Sequence, residues 1–546
     1  MGVGRTLLRP LAQLAGMHAS GQARAFLAAH RRTEAVQQRL LAELLARHAD
    51  TDFGRDHGFG RLQGYADFAS AVPIRTYEQL RPYMDRVFEG RQDALLPADE
   101  EVVMFSQTSG TTGLPKHIPV TRRFLATMRR GWNIFGMLAL NDHKEAWLRG
   151  ILQISSSPRE SLSPGGKPCG AISGLLASAQ KKIVRRMYVA PPCVADIEDP
   201  AARYYAILRC GVGRDVAFIT TANPSSTIKL IETGQAHAQR LVRDVADGTF
   251  NPPGESPPES VGRLKFRPNP RLARRLDEGV RRDGVLLPRH FWRIAFLCNW
   301  TGGTLKLYLR RLRELFDDAP VRDIGLLASE GRFSIPLADE VSAGVAEITD
   351  NILEFMPPDQ ADRPNPLAVP AHEAQVGQEY FLVVTNWAGL WRYNMDDRVR
   401  VIDKLGQSPV FEFLSRGLHT ASITGEKLTE HQVVEAMRRA ASQAGAAVER
   451  FVLQGCFGQT PYYQLRLETP DDAGAAKLAE LMDAALAELN VEYRSKRSGG
   501  RLGPIRSLRL PQGAMEQAER QAILARRGRS DQYKHKYLLT DIVTDQ

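Results

Sequence analysis

The segment from Ser106 to Lys116 constrains this chain most, because it sets small, hydroxylated and basic residues between two short apolar runs. It reads Ser106-Gln107-Thr108-Ser109-Gly110-Thr111-Thr112-Gly113-Leu114-Pro115-Lys116. Its glycines let backbone amides approach a ligand closely. Its hydroxyl groups add hydrogen-bond donors, and its lysine adds a positive charge. The segment therefore predicts a loop that cradles phosphate oxygens, with a polar hairpin turn as the alternative.

This loop does not have the pattern of a Walker A motif. That motif needs Gly-x4-Gly-Lys-Ser/Thr followed directly by a helix. Here Pro115 stands at the second glycine position and His117 follows the lysine. The flanking runs Val102–Phe105 and Ile118–Val120 are typical of short strands. The pattern thus excludes a P-loop NTPase and places the loop between two strands.

Three helices have clear local signals. Residues 20–50 predict one helix, because the leucines Leu40, Leu41, Leu44 and Leu45 recur at helical spacing. Thr121 is predicted to cap a second helix. The apolar face of this second helix contains Phe124, Leu125, Met128, Trp132 and Phe135. Thr429 opens a third helix, with Gln432 completing a capping box.

Two carboxylates stand out at the ends of predicted strands. Ile324–Leu327 predicts a buried strand that ends at Glu330, and the carboxyl ends of strands are where α/β sheets bind ligands. Asp397 falls in a predicted turn at residues 394–397, between two further strands. The alternatives are a helix N-terminal carboxylate for Glu330 and an ordinary turn aspartate for Asp397.

Composition narrows the class of protein. A chain of 546 residues with 43% apolar and 25% charged residues is expected to form at least two globular domains. The net charge of +10 suits an anionic ligand and does not indicate nucleic acid. The five cysteines lack CxxC spacing, which argues against a zinc site and favours a reducing compartment. No apolar run approaches the ~18 residues of a membrane span, so we expect a cytoplasmic protein.

The domain boundary is predicted near Thr424. Ser415–Gly425 is polar and contains two glycines, and alternating strand and helix patterns follow it to the end. We therefore expect an α/β fold with a large domain over residues 1–424 and a smaller α+β domain over residues 425–546.

The loop resembles the phosphate loop of the adenylate-forming enzymes, which reads Ser-Gly-Thr-Thr-Gly-x-Pro-Lys. The ordered set of motifs resembles, more narrowly, the auxin-responsive acyl-acid amido synthetases (the Gretchen Hagen family). That set includes Val72–Glu78, Pro82–Arg86, Ala328-Ser329-Glu330, Trp391–Asp397, Leu489–Tyr493, Arg497, Gly503-Pro504 and Gln532-Tyr533-Lys534. It spans about residues 30 to 540. The chain departs from the family at Leu326, where an aromatic residue is usual, and at Asn394 and Asp396, which replace an Arg and a Gly.

The resemblance implies roles for individual residues. Ser109, Gly110, Thr111, Thr112, Gly113 and Lys116 would hold the β- and γ-phosphates of ATP. Glu330, beside Ser329, would hold Mg²⁺ that bridges the phosphates. Asp397 would accept hydrogen bonds from the ribose hydroxyls, and Arg416 would contact phosphate and ribose near a hinge. Lys534 would reach from the small domain to the acyl carboxylate and the α-phosphate.

The resemblance also implies the reaction. The protein would activate a small carboxylic acid as its acyl-adenylate and transfer the acyl group to an amine, most simply an amino acid. Two alternatives stay open: a ligase that forms a coenzyme A thioester, and a nucleotide-binding regulatory protein without turnover. No nucleic-acid partner and no metal site beyond Mg²⁺ are expected.

Overall fold

The computed structural model describes residues 3–108, 116–154, 161–178, 182–254, 258–361, 363–416, 420–421, 423, 428–457, 460–498, 502–525 and 535–544. The chain divides into two compact units. The first comprises Met1–Thr301 and Arg311–Phe413, and the second comprises Gly302–Arg310 and Leu414–Gln546. Both combine helices with sheets, which confirms the predicted α/β class. Within the described residues, we find no helix with the length and apolarity needed to cross a bilayer.

The helices of the first unit cover its sheets and supply most of its amino-terminal third. They are α1 (Val3–Ala29), α2 (Thr33–His48), α3 (Asp52–Asp56), α4 (Tyr65–Ala71), α5 (Tyr77–Phe88), α6 (Arg122–Asp142), α7 (Ile172–Ser178), α8 (Lys182–Arg185), α9 (Pro200–Val212), α10 (Pro224–Ala236), α11 (Ala238–Asp247), α12 (Glu259–Gly262), α13 (Pro270–Asp283) and α14 (Leu309–Phe316), the last of which begins in the second unit.

The strands of the first unit are β1 (Val102–Thr108), β2 (Lys116–Thr121), β3 (Gly150–Gln153), β4 (Ser161–Leu162), β5 (Pro168–Gly170), β6 (Val216–Thr220), β7 (Phe296–Asn299), β8 (Val321–Asp323), β9 (Leu327–Ala328), β10 (Gly331–Arg332), β11 (Ser334–Ile335), β12 (Gly344–Ala346), β13 (Asn351–Met356), β14 (Val369–Pro370), β15 (Glu379–Asn386), β16 (Leu390–Leu405) and β17 (Ser408–Arg416), which ends in the second unit. The longest strands of the first unit, β15, β16 and β17, lie after the middle of the chain.

Three sheets organise the first unit. One has the order β2-β1-β5-β4, and a parallel sheet has the order β3-β6-β7-β8. The largest is mainly antiparallel, in the order β11-β12-β17-β16-β15-β13-β14. One apolar core joins the first and the largest of these sheets to α2, α5 and α6, and it includes Phe105, Phe124 and Trp391. This shared core fixes the loop-bearing strands against β16.

The second unit is an α+β body with its own core. It contains β18 (Thr420–Ala421), β19 (Leu428–Thr429), α15 (Glu430–Ala444), β20 (Phe451–Phe457), β21 (Tyr462–Glu468), α16 (Asp472–Leu489), α17 (Val491–Ser498), β22 (Arg506–Leu510), α18 (Ala514–Ala525) and β23 (Leu538–Thr544). Its main sheet has the order β22-β21-β20-β23. The predicted capping box is present, since Thr429 and Gln432 exchange hydrogen bonds of 3.1 and 3.2 Å.

The other predicted cap is also present. The Thr121 hydroxyl accepts a hydrogen bond of 3.0 Å from the backbone N–H of Phe124, at the start of α6. Phe124, Met128 and Phe135 on the predicted apolar face are buried. The helix therefore leaves β2 at a fixed angle, with its apolar side toward the core.

The single helix predicted over residues 20–50 is wrong in one respect. Helix α1 ends at Ala29, and α2 begins at Thr33 after one turn of 3₁₀ helix. His30 in that turn is buried, and its Nδ1 lies 2.7 Å from the hydroxyl oxygen of Ser408. Thr33 Oγ1 lies 2.6 Å from the same oxygen. The local sequence pattern predicts an uninterrupted helix, but a polar contact with a distant strand interrupts it.

The predicted turn at residues 394–397 is also wrong, because β16 continues through it. Phe381 pairs with Arg398 and Val383 pairs with Asn394, so residues 395–397 form a bulge opposite one residue of β15. Asp396 in this bulge has φ of 61°, and its backbone N–H donates to Asn394 Oδ1 at 2.9 Å. A bulge of this kind bends the strand and changes the direction in which its side chains point.

The buried strand predicted at Ile324–Leu327 is displaced. Strand β8 ends at Asp323, whose carboxylate accepts the backbone N–H of Gly325 at 2.6 Å. Gly325 has φ of 79°, a conformation that favours glycine. The chain then forms the short antiparallel pair β9–β10, with Ala328 opposite Gly331. Glu330 therefore sits in a tight turn between two short strands.

Candidate functional site

The predicted phosphate loop joins two paired strands. Strands β1 and β2 are antiparallel, with Thr108 opposite Lys116 at the end of the pair. Both predicted strands are therefore confirmed. The loop residues Ser109, Gly110, Thr111, Thr112 and Gly113 lie outside the described residues. Lys116, the first residue of β2, is described and partly buried.

Two tyrosines position the Lys116 ammonium group. Lys116 Nζ donates a hydrogen bond of 3.2 Å to the hydroxyl oxygen of Tyr393, from β16. The same nitrogen lies 5.6 Å from the ring centroid of Tyr77 and 5.8 Å from that of Tyr393. These distances are within the range of cation–π attraction. The charge is thus held at the start of β2 by side chains from two other elements.

Tyr77 is itself fixed to the hairpin. Its hydroxyl accepts the backbone N–H of His117 at 2.8 Å and donates to the carbonyl of the same residue at 3.2 Å. Burial raises the pKa of Tyr77 to about 12, and the carboxylate of Glu330 adds to the rise. Tyr77 is therefore neutral at physiological pH, and it lies near Glu330 as well as Lys116.

Hydrogen bonds from two directions hold the turn that carries Ser329 and Glu330. Ser106 of β1 donates to the Ser329 hydroxyl at 2.8 Å, which ties the turn to the hairpin. Asn386 Nδ2 donates to the Glu330 carbonyl at 2.7 Å and to Asn351 Oδ1 at 3.1 Å. The turn is therefore fixed by β1 on one side and by β13 and β15 on the other.

The Glu330 side chain is almost fully buried, with 1% of its surface exposed. Its Oε1 has no hydrogen-bond partner among the residues that the structure describes. An unpaired buried carboxylate oxygen is costly, and a hard cation is a fitting partner for it. The described residues contain no group of three or more His, Cys, Asp or Glu side chains that could by itself hold a metal ion. Any cation here would then need ligands from a bound anion besides Glu330.

Asp397 lies at the end of the β16 bulge and is also buried, with 5% exposure. The neighbouring Asp396 stands where the resemblance has glycine. Its φ of 61° is in the left-handed region, which glycine adopts freely and aspartate tolerates better than most residues. The departure from the family pattern is thus compatible with the same backbone, and the bulge sets the direction of Asp397.

Arg392 anchors this part of β16 in the core. Its guanidinium donates to both carboxylate oxygens of Glu354 at 2.8 to 3.1 Å. It also donates to the carbonyls of Ala69 and Val72, both at 2.8 Å. A buried bidentate pair of this kind fixes orientation, so Tyr393 has little freedom to move away from Lys116.

Besides the loop residues, two further predicted residues cannot be placed. The backbone of Arg416 ends β17, but its side chain lies outside the described part of the chain, and Lys534 lies outside it entirely. Conversely, the sequence reasoning assigned no role to Tyr77 or Tyr393. Both fall within motifs that carried the family resemblance, and that was the only available signal for them.

Chemically, the site combines a fixed cation with a buried carboxylate. Lys116 begins β2, and Ser106 of β1 ties the turn that carries Glu330 to the same pair of strands, at the base of a loop rich in hydroxyl groups and glycine. Such a pair suits an anionic ligand that also carries a divalent cation, because the lysine neutralises oxygen charge and the carboxylate binds the metal. A phosphate chain with Mg²⁺ has this character.

Models of protein families match three stretches of the chain. The GH3 family N-terminal domain matches residues 22–321, the GH3 family central domain matches residues 347–416, and the GH3 family C-terminal domain matches residues 431–542. The first match alone covers more than half of the chain.

Individual proteins are also similar to this chain over most of its length. The indole-3-acetic acid-amido synthetase GH3.8 of Oryza sativa subsp. indica is 26% identical over 535 residues, covering 92% of this chain and 87% of the relative. The jasmonoyl–L-amino acid synthetase JAR4 of Nicotiana attenuata is 25% identical over 425 residues, covering 74% and 73%. Among solved structures, AtGH3.15 acyl acid amido synthetase in complex with 2,4-DB has a TM-score of 0.83 at 20% identity, covering 96% and 95%.

Proposed function

Since this chain belongs to the GH3 family, we propose that it is an ATP-dependent ligase that joins a carboxylic acid to the amino group of an amino acid. The named relatives are amido synthetases that differ in their acyl acid. The observation that carries the proposal is that Lys116 and the turn bearing Glu330 are both held at the β1–β2 pair, at the base of the predicted phosphate loop.

The first half-reaction is adenylation. A carboxylate oxygen of the acid attacks the α-phosphorus of ATP, a new P–O bond forms, and the bond to the pyrophosphate leaving group breaks. Lys116 and the loop residues 109–113 offset charge on the β- and γ-phosphates. Glu330 would hold Mg²⁺, which would supply further charge neutralisation on the phosphates. Asp397 orients the nucleotide by accepting hydrogen bonds from the ribose.

The second half-reaction is acyl transfer. The neutral amine attacks the carbonyl carbon of the acyl-adenylate, the C–O bond to AMP breaks, and the amine loses a proton. The amide, AMP and pyrophosphate are the products. Adenylation replaces a poor leaving group with a good one, so the enzyme's task is mainly to position the reactants.

The roles proposed for Lys534 and Arg416 rest on the family resemblance alone. Lys534 neutralises the carboxylate and α-phosphate during adenylation, and Arg416 binds phosphate and ribose. The domain division into residues 1–424 and 425–546 also stays a prediction. The two compact units, whose main boundary falls at Phe413, support a division in this region.

Exchange of labelled pyrophosphate into ATP tests the adenylation step. We expect exchange that depends on a carboxylic acid and needs no amine. A screen of acids, with amino acids and with coenzyme A, then identifies the acceptor. AMP release stimulated by coenzyme A but by no amino acid would replace the amido synthetase with a thioester-forming ligase. Absence of acid-dependent exchange with every acid would indicate a binding protein without turnover.

A further inference from the structure

A cavity with a volume of about 860 Å³ lies in the first unit, apart from the candidate site. Ligand-binding clefts have volumes of roughly 300–1,000 Å³. Its walls come mainly from residues 185–195, 207–214 and 264–272, with Gln153 at the end of β3. Neither Lys116, Glu330 nor Asp397 is among its described lining residues, so it is distinct from the candidate site.

The charged residues described in the lining of this cleft all have the same sign. Six of its described lining residues are cationic and none is acidic. The cationic residues are Arg185, Arg186, Arg209, Arg214, Lys265 and Arg267. They come from three separate segments that only the tertiary fold brings together. A solvated basic face of one helix, the ordinary reason for an arginine cluster, does not produce this arrangement.

Most of these cations lack an ion-pair partner within the part of the chain that the structure describes. Arg185, Arg186, Arg214, Lys265 and Arg267 form no ion pair with any described residue. Some exposed arginines elsewhere in the first unit do have carboxylate partners, as in Arg47–Asp99 at 2.8 Å and Arg289–Asp283 at 3.0 Å. Like charges that converge without counter-ions repel one another, and an anion in the cleft relieves that repulsion.

Two buried groups add fixed polarity to the cleft. Arg209 is buried and donates to the carbonyls of Asp244 and Thr249 at 2.8 and 3.1 Å. Its guanidinium lies 4.1 Å from the ring centroid of Phe266, so it is held rigidly in the wall. Gln153 Oε1 is buried without a hydrogen-bond partner in the described part of the chain.

We propose that this cleft binds a multiply phosphorylated small molecule. A ligand with one negative charge would leave most of the six cations uncompensated. Arginine forks match the geometry of phosphate oxygens. The concave shape and limited volume favour a small molecule over a nucleic acid, which needs an extended basic surface.

Tripolyphosphate binding to the full-length protein, measured by calorimetry, tests the proposal. The calorimetry uses protein that carries Lys116→Ala. This substitution weakens tripolyphosphate binding at the candidate site, so that the measured binding reports on the cleft. We expect saturable binding that Arg185→Gln/Arg186→Gln weakens at least tenfold. Lys265→Gln/Arg267→Gln, on another wall of the cleft, should do the same. The control is Arg274→Gln/Arg275→Gln on α13, which removes the same charge from exposed positions outside the lining.

Equal weakening by the control pair would overturn the proposal, because it would indicate diffuse attraction to a basic protein. Absence of saturable binding would overturn it as well. A thermal melt of each variant identifies loss of folding. If one pair of substitutions unfolds the protein, the pair on the other wall of the cleft tests the proposal instead. When Lys116 is retained, acid-dependent pyrophosphate exchange without added tripolyphosphate should be the same in the cleft variants and in the unmodified protein. The result is therefore independent of the proposed ligase activity.

Discussion

Lys116 and Tyr393 are 277 residues apart in the chain, and a hydrogen bond of 3.2 Å joins the Lys116 ammonium to the Tyr393 hydroxyl. This contact links the strand after the predicted phosphate loop to the strand that carries Asp397. It gives the lysine a defined position before any ligand is bound, which lowers the reorganisation that a charged transition state would require.

Tyr393→Phe should lower kcat/KM for ATP about tenfold or more while leaving stability nearly unchanged. The variant loses a hydrogen bond to a charged group, which contributes about 1.5–3 kcal/mol, but it keeps the aromatic ring. Initial rates of pyrophosphate exchange measure the effect. Tyr380→Phe is the control, because that hydroxyl accepts a hydrogen bond of 3.1 Å from the backbone N–H of Gln375 and not from Lys116. Equal losses in both variants would contradict a positioning role.

Glu330→Gln should raise the Mg²⁺ concentration needed for half-maximal exchange and slow exchange by about 10²–10³ at saturating ATP. The amide preserves the shape of the buried side chain but removes the charge that would bind the cation. A Mg²⁺ titration distinguishes this effect from misfolding. Glu340→Gln, which removes a surface carboxylate paired with Arg313, should leave the titration unchanged. An unaltered Mg²⁺ dependence in Glu330→Gln would remove this residue from the metal site.

Asp397→Ala should weaken ATP binding by about 1.5–3 kcal/mol for each ribose hydrogen bond lost, with little effect on the affinity for the acid. Equilibrium binding of ATP and of the acid, each measured alone, tests this. Asp396→Gly is the matched control in the same bulge. Glycine adopts the φ of 61° at this position without strain, so ATP affinity should be retained. A normal ATP affinity in Asp397→Ala would exclude the ribose contact.

Lys534→Ala should slow acyl-adenylate formation by roughly 10²–10³ and leave amide formation from supplied acyl-adenylate near normal. In the second half-reaction no carboxylate is left for the lysine to neutralise. Single-turnover rates of the two steps, measured separately, give the answer. Lys536→Ala, two residues further on, serves as the control. Equal loss in both steps would indicate a structural or shared binding role.

Stability should fall as the pH is lowered from about 6.5 to about 4. Burial lowers the pKa of His30 and of His48 from 6.5 to about 4. Above pH 6.5 both are neutral in the folded and unfolded states. Below it the unfolded chain binds protons that the folded chain does not, so the folded state is disfavoured.

One pKa unit corresponds to about 1.4 kcal/mol, so each histidine accounts for up to about 3 kcal/mol at pH 4. Urea unfolding at several pH values measures this. His48→Gln should flatten the pH dependence, whereas replacing the exposed His18 with Gln should not. The same slope in both variants would assign the acid sensitivity to other groups.

Several features of this fold could be read from residues that are close in sequence. The caps at Thr121 and Thr429 bond to residues three positions on, and the two strands around the phosphate loop are short apolar runs with a polar turn between them. The family resemblance rested on the order of such local motifs, and the matches over residues 22–321, 347–416 and 431–542 confirm it.

Other features depended on partners far away in the chain. The local pattern continues the first helix through His30, but Ser408 is 378 residues away and its hydroxyl breaks that helix. The register of β15 turns residues 395–397 into a bulge, where the sequence alone indicated a turn. Asp323 ends its strand because Gly325 and Thr301 use its carboxylate oxygens.

The sequence by itself determined the capped helices at Thr121 and Thr429, the two strands around the phosphate loop and the family, because caps, short apolar runs and motif order are properties of neighbouring residues. The tertiary structure alone decided that Tyr77 and Tyr393 hold Lys116, that Glu330 is buried with an unpaired oxygen, and that six cations from three segments line one cleft. Burial and charge convergence arise only when distant segments pack together, so no local pattern encodes them.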